Sequence, residues 1–106
     1  MIGINLDDYQ DKAATFCLTQ SQNITYLTLG LVGEAGEVAE KLKKNIRDGT
    51  KVDDKAIAKE LGDVLWYLSN LSLECGYTLS EVAQMNIEKL RSRKARGKLG
   101  GSGDDR

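Results

Sequence analysis

Two long helical runs in this chain each carry a pair of acids three residues apart: Glu34 and Glu37 in the first, Glu60 and Asp63 in the second. Three residues is about 300° of helical rotation, so both acids of a pair leave nearly the same face. Like charges at that spacing repel by roughly a few tenths of a kcal/mol or more. A small domain that does this twice needs something positive between the pairs. A divalent cation meets that need, and oxygen-only ligands favour magnesium or manganese. If the two runs pack side by side, their acidic edges can face each other and chelate such a cation.

The rest of the chain fits a helical frame. Its 106 residues contain no proline, and Ala, Leu, Glu and Lys are plentiful, so an all-α fold is expected, one four-helix bundle-like protomer. Residues 1–96 should form that single domain, and the Gly/Ser-rich 97–106 segment should remain a disordered tail. A first helix is predicted from Asp7 to about Thr19, on the stripe Tyr9, Ala13, Phe16 and Cys17, with acids in its first turn. Asn23 should cap a second helix from about Ile24 to Arg47, stopped by Asp48-Gly49-Thr50. Asp53 or Asp54 should start a third, running to about Cys75. Thr78 and Glu81 form a capping-box pattern opening a fourth, through about Ala95. Cys17 and Cys75 lack a metal-ligand spacing and read as reduced core residues, which suits a cytoplasmic protein.

Position within the helices separates signal from ordinary surface charge. Glu34 falls inside the second helix's stripe of Leu27, Leu31, Val38 and Leu42, and Glu37 lies at its edge beside Lys41. Gly30, Gly33 and Gly36 recur at helical spacing, each at a cost of roughly 1 kcal/mol relative to Ala. Close approach of another helix, room for a ligand, or a loosely packed helix would each account for them. In the third helix, Ile57, Leu61, Val64, Leu68 and Leu71 form the main stripe. Glu60, Asp63, Tyr67, Asn70 and Glu74 form a polar strip beside it, and Ala58, Leu65 and Leu73 a second apolar face. A helix apolar on more than one face needs more cover than so short a chain supplies, which points to a homo-oligomer.

Several chemistries are excluded. The chain has no histidine, which removes His-based general base catalysis, Ser-His triads and Glu-x-x-His di-iron sites. No glycine-rich loop precedes a Lys-Ser/Thr pair, so there is no P-loop. A net charge of -1 gives no general pull towards nucleic acid or membrane, no apolar leader opens the chain, and no apolar run approaches the ~20 residues of a membrane span. What remains is the constellation of Glu34, Glu37, Glu60 and Asp63, read as a metal site against the alternative of solvated charge. The fourth helix ends in Lys89, Arg91, Arg93, Lys94, Arg96 and Lys98, suited to phosphate oxygens or simply to a helix C-terminus. Trp66 reads as packing, whereas Tyr67, one turn after Asp63, is a ligand candidate.

The same residues carry a resemblance. Glu34-x-x-Glu37 followed by Glu60-x-x-Asp63 is similar to the signature of the MazG-like nucleoside triphosphate pyrophosphohydrolases. The words Gly30-Leu31-Val32-Gly33-Glu34-Ala35-Gly36-Glu37-Val38, Glu60-Leu61-Gly62-Asp63-Val64-Leu65-Trp66-Tyr67 and Asn86-Ile87-Glu88-Lys89-Leu90-Arg91-Ser92-Arg93 also resemble that family, over roughly residues 24 to 97. The resemblance implies an all-α, usually oligomeric enzyme that splits a nucleoside triphosphate into monophosphate and pyrophosphate with magnesium. It implies Glu34, Glu37, Glu60 and Asp63 as metal ligands, and Asn86, Lys89 and Arg93 along the phosphates. It is weakest before residue 24, where such enzymes shape the base pocket.

On that reading a water attacks in line at the α-phosphorus and a carboxylate takes its proton. Glu34, whose place in the apolar stripe should raise its pKa, is preferred to Glu37. The partners expected are a nucleoside triphosphate and a second copy of the chain, with no nucleic acid or membrane. The competing readings are a non-catalytic helical interaction module and a nucleotide-binding regulator without turnover.

Overall fold

The computed structural model describes residues 3–106. They form four α-helices, α1 (Leu6–Ala14), α2 (Ile24–Asp48), α3 (Asp54–Glu74) and α4 (Leu79–Ala95), with a 3-10 turn at Thr19–Ser21. No strand occurs among the described residues, and the fold is all-α. The start signals work as their chemistry dictates. Asn5, Asn23 and Asp53 each accept a bond from a first-turn amide, and Thr78 and Glu81 close a reciprocal capping box. Gly49 ends α2 at φ 64°, a left-handed conformation that a residue with a Cβ rarely adopts.

The first helix is shorter than its periodicity suggests. It ends at Ala14, because Thr15 turns its hydroxyl back to the Lys12 carbonyl at 2.6 Å. The amides of Thr15, Phe16 and Cys17 then bond three residues back, a tighter turn than an α-helix. That turn puts Cys17 inside and leaves Phe16, expected on the apolar stripe, 75% exposed. Cys75, also expected in the core, is exposed just beyond α3.

A buried polar junction ties α1, α3 and α4 together. Gln10 donates to the carbonyls of Ser69 and Tyr77 and accepts from the amide of Leu79, the first residue of α4. Asp7, expected only to favour its own helix, accepts from the amide of Ser80. Among the described residues the buried apolar side chains are Ala13, Cys17, Leu27 and Leu79, a small core for such a chain.

Helices α2 and α3 pack as an antiparallel pair. A Cβ at Gly30 would run into the ring of Tyr67, so this glycine admits a neighbouring helix, while the space beside Gly33 and Gly36 is open. The face of α3 turned to this seam is centred on the polar strip: Asn70 is buried and Glu60 and Tyr67 are half-buried. Leu61 and Leu68, expected on the main inward stripe, are exposed, as is Leu73 on the second face. The protomer is accordingly open. Its accessible surface is 7833 Å², against about 5,800 Å² for a compact monomer of its mass. Its radius of gyration is 16.5 Å, against about 13 Å for a compact domain of that length.

Residues 97–106, expected from composition to stay disordered, hold no helix or strand and close back on α4. No helix of the described residues is long and apolar enough to cross a membrane.

Candidate metal centre

The α2/α3 seam brings three of the four acids together. Glu34 from α2 and Glu60 and Asp63 from α3 offer carboxylate oxygens that all lie within 4.8 Å of one another. Glu34 and Glu60 are half-buried and Asp63 is exposed, so the group has a packed side and a side open to solvent. Glu37 stands outside the trio, exposed, one turn further along α2. It is still close enough for its charge to act on Glu34. The donor set suits a hard divalent cation: all oxygen, anionic, and close enough to share one ion after small side-chain adjustments.

Around Glu34 burial and acidic charge prevail. Burial raises the pKa of Glu34 most, followed by the charges of Asp63, Glu60 and Glu37, with a hydrogen bond to Glu60 adding to them. Two phenols flank the acids. Burial pushes up the hydroxyl of Tyr9, with Asp63 adding to it, and burial, Tyr26, Glu34 and Asp63 push up that of Tyr67. The Tyr67 ring lies edge-on to Trp66 at 4.9 Å and tilted against Tyr26 at 6.5 Å. It is therefore packed into the seam at the border of the site.

Lys41 pairs with the trio across the seam, its Nζ 3.7 Å from a Glu60 oxygen. Its place one turn after Glu37 made it legible as a neighbour of the site, but its partner on α3 was not. A depression of about 280 Å³ lined by Lys41, Asp53, Lys55, Ala56, Lys59 and Glu60 opens beside that pair. The α4 residues lie apart from this cluster. Asn86 and Lys89 line a separate groove of about 300 Å³ with Val82 and Met85. No ion pair or hydrogen bond joins Asn86, Lys89 or Arg93 to the acids among the described residues. Lys89 and Arg93 are instead engaged by Asp104.

Residues 22–97 match the model of the MazG nucleotide pyrophosphohydrolase domain. The chain belongs to the MazG nucleotide pyrophosphohydrolase family. The match spans α2, α3 and α4 and omits α1, as the weaker likeness before residue 24 implied. The chain is also similar to Gene 37 protein of Mycobacterium phage L5, 47% identical over 89 residues, which covers 80% of this chain and 78% of that protein. That name states no activity. No solved structure gives a significant match.

Proposed function

We propose that this MazG domain hydrolyses nucleoside or deoxynucleoside triphosphates to the monophosphate and pyrophosphate, with magnesium or manganese as cofactor. The observation that carries the reading is the trio of carboxylates within 4.8 Å, in a domain of this family. Glu34, Glu60 and Asp63 would hold the cation, with Glu37 closing the exposed side. When bound, the cation supplies positive charge between the acids and the triphosphate and polarises the phosphate oxygens.

The protein's own residues supply the rest. Glu34 is the proposed base, over Glu37, because it is half-buried among the converging acids whereas Glu37 is exposed outside them. It takes a proton from the water that attacks the α-phosphorus, and pyrophosphate leaves in line. Tyr67, held against Gly30, offers an aromatic edge to the nucleoside. Asn86, Lys89 and Arg93 are the proposed phosphate contacts. A homodimer or homotetramer is the proposed assembly, supported by the exposure of Leu61, Leu68 and Leu73 on α3 and of Met85, Ile87 and Leu90 on α4. The setting proposed is the cytoplasmic nucleotide pool. The same exposed surface would also suit a non-catalytic interaction module, so turnover is the discriminating measurement.

A panel of ordinary and deoxy triphosphates, read out as pyrophosphate, tests the proposal. EDTA should abolish turnover, and magnesium or manganese should restore it. Orthophosphate released together with the diphosphate would refute the cleavage site, and no turnover of any triphosphate would favour the binding module.

A further inference from the structure

The cationic pair on α4 already has an occupant. Lys89 Nζ lies 3.2 Å from Oδ1 of Asp104, and Arg93 Nη2 lies 3.4 Å from the same oxygen. Arg93 Nη2 also donates to the main-chain oxygens of Asp104 at 2.7 Å and Gly103 at 3.4 Å. Arg93 is 5% exposed, yet its Nε has no partner. That donor is covered as well as unpartnered, so a further acceptor reaches it only when what covers the guanidinium moves away.

The segment that delivers Asp104 is shaped to return. Gly97, Gly101 and Gly103 take φ of 67°, 92° and 88°, conformations that cost a residue with a Cβ strain at each bend. The Arg106 guanidinium donates to the carbonyls of Lys98, Leu99, Gly100 and Gly103, drawing the turn closed. No packed apolar layer holds the segment: Leu99 is exposed, and so is the Asp104 side chain. The contact therefore depends on charge and on a few main-chain bonds, and it lies over the residues read above as phosphate contacts.

We propose that residues 97–106 are a displaceable latch, in which the Asp104 carboxylate occupies the Lys89/Arg93 anion site in cis and competes there with the phosphate groups of the nucleotide. The inference rests on the reading of Lys89 and Arg93 as phosphate ligands. The Asp104 carboxylate offers the pair a single negative charge. It yields to a polyphosphate, which brings several charged acceptors and can use the free Nε of Arg93. The latch thus lowers apparent affinity by the fraction of molecules in which it is open.

The test is calorimetric titration of the full chain with inorganic pyrophosphate, at fixed ionic strength and without divalent metal, so that the acid trio makes no bridge to the ligand. Asp104→Asn removes the competing charge, and Gly103→Val strains the bend while keeping the charge. Both should bind pyrophosphate about five- to tenfold more tightly than the parent, the factor expected when a mostly closed site is opened. In the parent, pyrophosphate should speed amide exchange in residues 98–106. Parent-like affinity in both variants, with Lys89→Ala weakened, would overturn the latch and leave the phosphate contact standing. If Lys89→Ala changes nothing in the Asp104→Asn background, the phosphate reading itself fails, and the latch falls with it.

Discussion

Glu34→Gln takes one charge out of a trio whose oxygens lie within 4.8 Å of one another. At that separation two unit charges repel by about 0.9 kcal/mol even at the dielectric constant of water, and by more where protein replaces solvent. Glu34 meets this repulsion from both Glu60 and Asp63, so neutralising it should relieve about 1–2 kcal/mol at low salt. Since about 1 kcal/mol moves the melting temperature of a domain this size by roughly 4–8 °C, the metal-free variant should melt at least about 4 °C above the parent at neutral pH. The pH dependence has a definite sign. The Glu34 carboxyl is raised above its ordinary value, so between the unfolded and folded values the folded state holds more protons. Stability falls as pH climbs through that window, and the full cost applies above it. The advantage of Gln should therefore vanish below the ordinary glutamate range, where Glu34 is protonated in both states. Magnesium should raise the parent by mass action and the variant far less. Thermal melts of both proteins across that pH range, with EDTA and with magnesium, read all of these effects. A metal-free variant that melts well below the parent would mean that Glu34 is a structural salt-bridge partner, and would refute the reasoning.

Three further outcomes are expected. Gly30→Ala should cost about 1–3 kcal/mol in chemical denaturation, because its Cβ meets the Tyr67 ring, and pairing it with Tyr67→Leu should recover part of the loss. Gln10→Ala strips the amide of Leu79 and the carbonyls of Ser69 and Tyr77 of a buried partner; a loss of about 1–3 kcal/mol is expected, and unchanged stability would show that water replaces the side chain. Light scattering at micromolar concentration should give a dimer or larger species, whereas a fully active monomer would refute the argument from the open apolar faces of α3 and α4.

Local chemistry made most of the helices legible. Asn23, Asp53, Thr78 with Glu81, and Gly49 mark their ends through bonds to residues within a turn or so, and such bonds are written in the chain itself. The exception was α1, where apolar spacing ran on past Thr15 while a hydroxyl bond ended the helix. The facing of Glu34 towards Glu60 and Asp63 was legible for a similar reason, since helical spacing sets which side chains share a face.

What lay between helices was decided only by packing. Periodicity assigned the strip of Glu60, Tyr67 and Asn70 a place beside the buried stripe of α3; packing made that strip the seam, because Tyr67 fits the gap at Gly30 and Gln10 fixes α1 and α4 at Ser69 and Tyr77. Leu61 and Leu68 were turned outward as a result. The exclusion of Glu37 from the trio, the Lys41 bond to Glu60 and the return of Asp104 to Lys89 and Arg93 are likewise unmarked by spacing. The amino-acid sequence determined the helices, the acids on their faces and the family. Tertiary structure decided which faces meet, because burial is a property of two surfaces together and a helix taken alone has no inside.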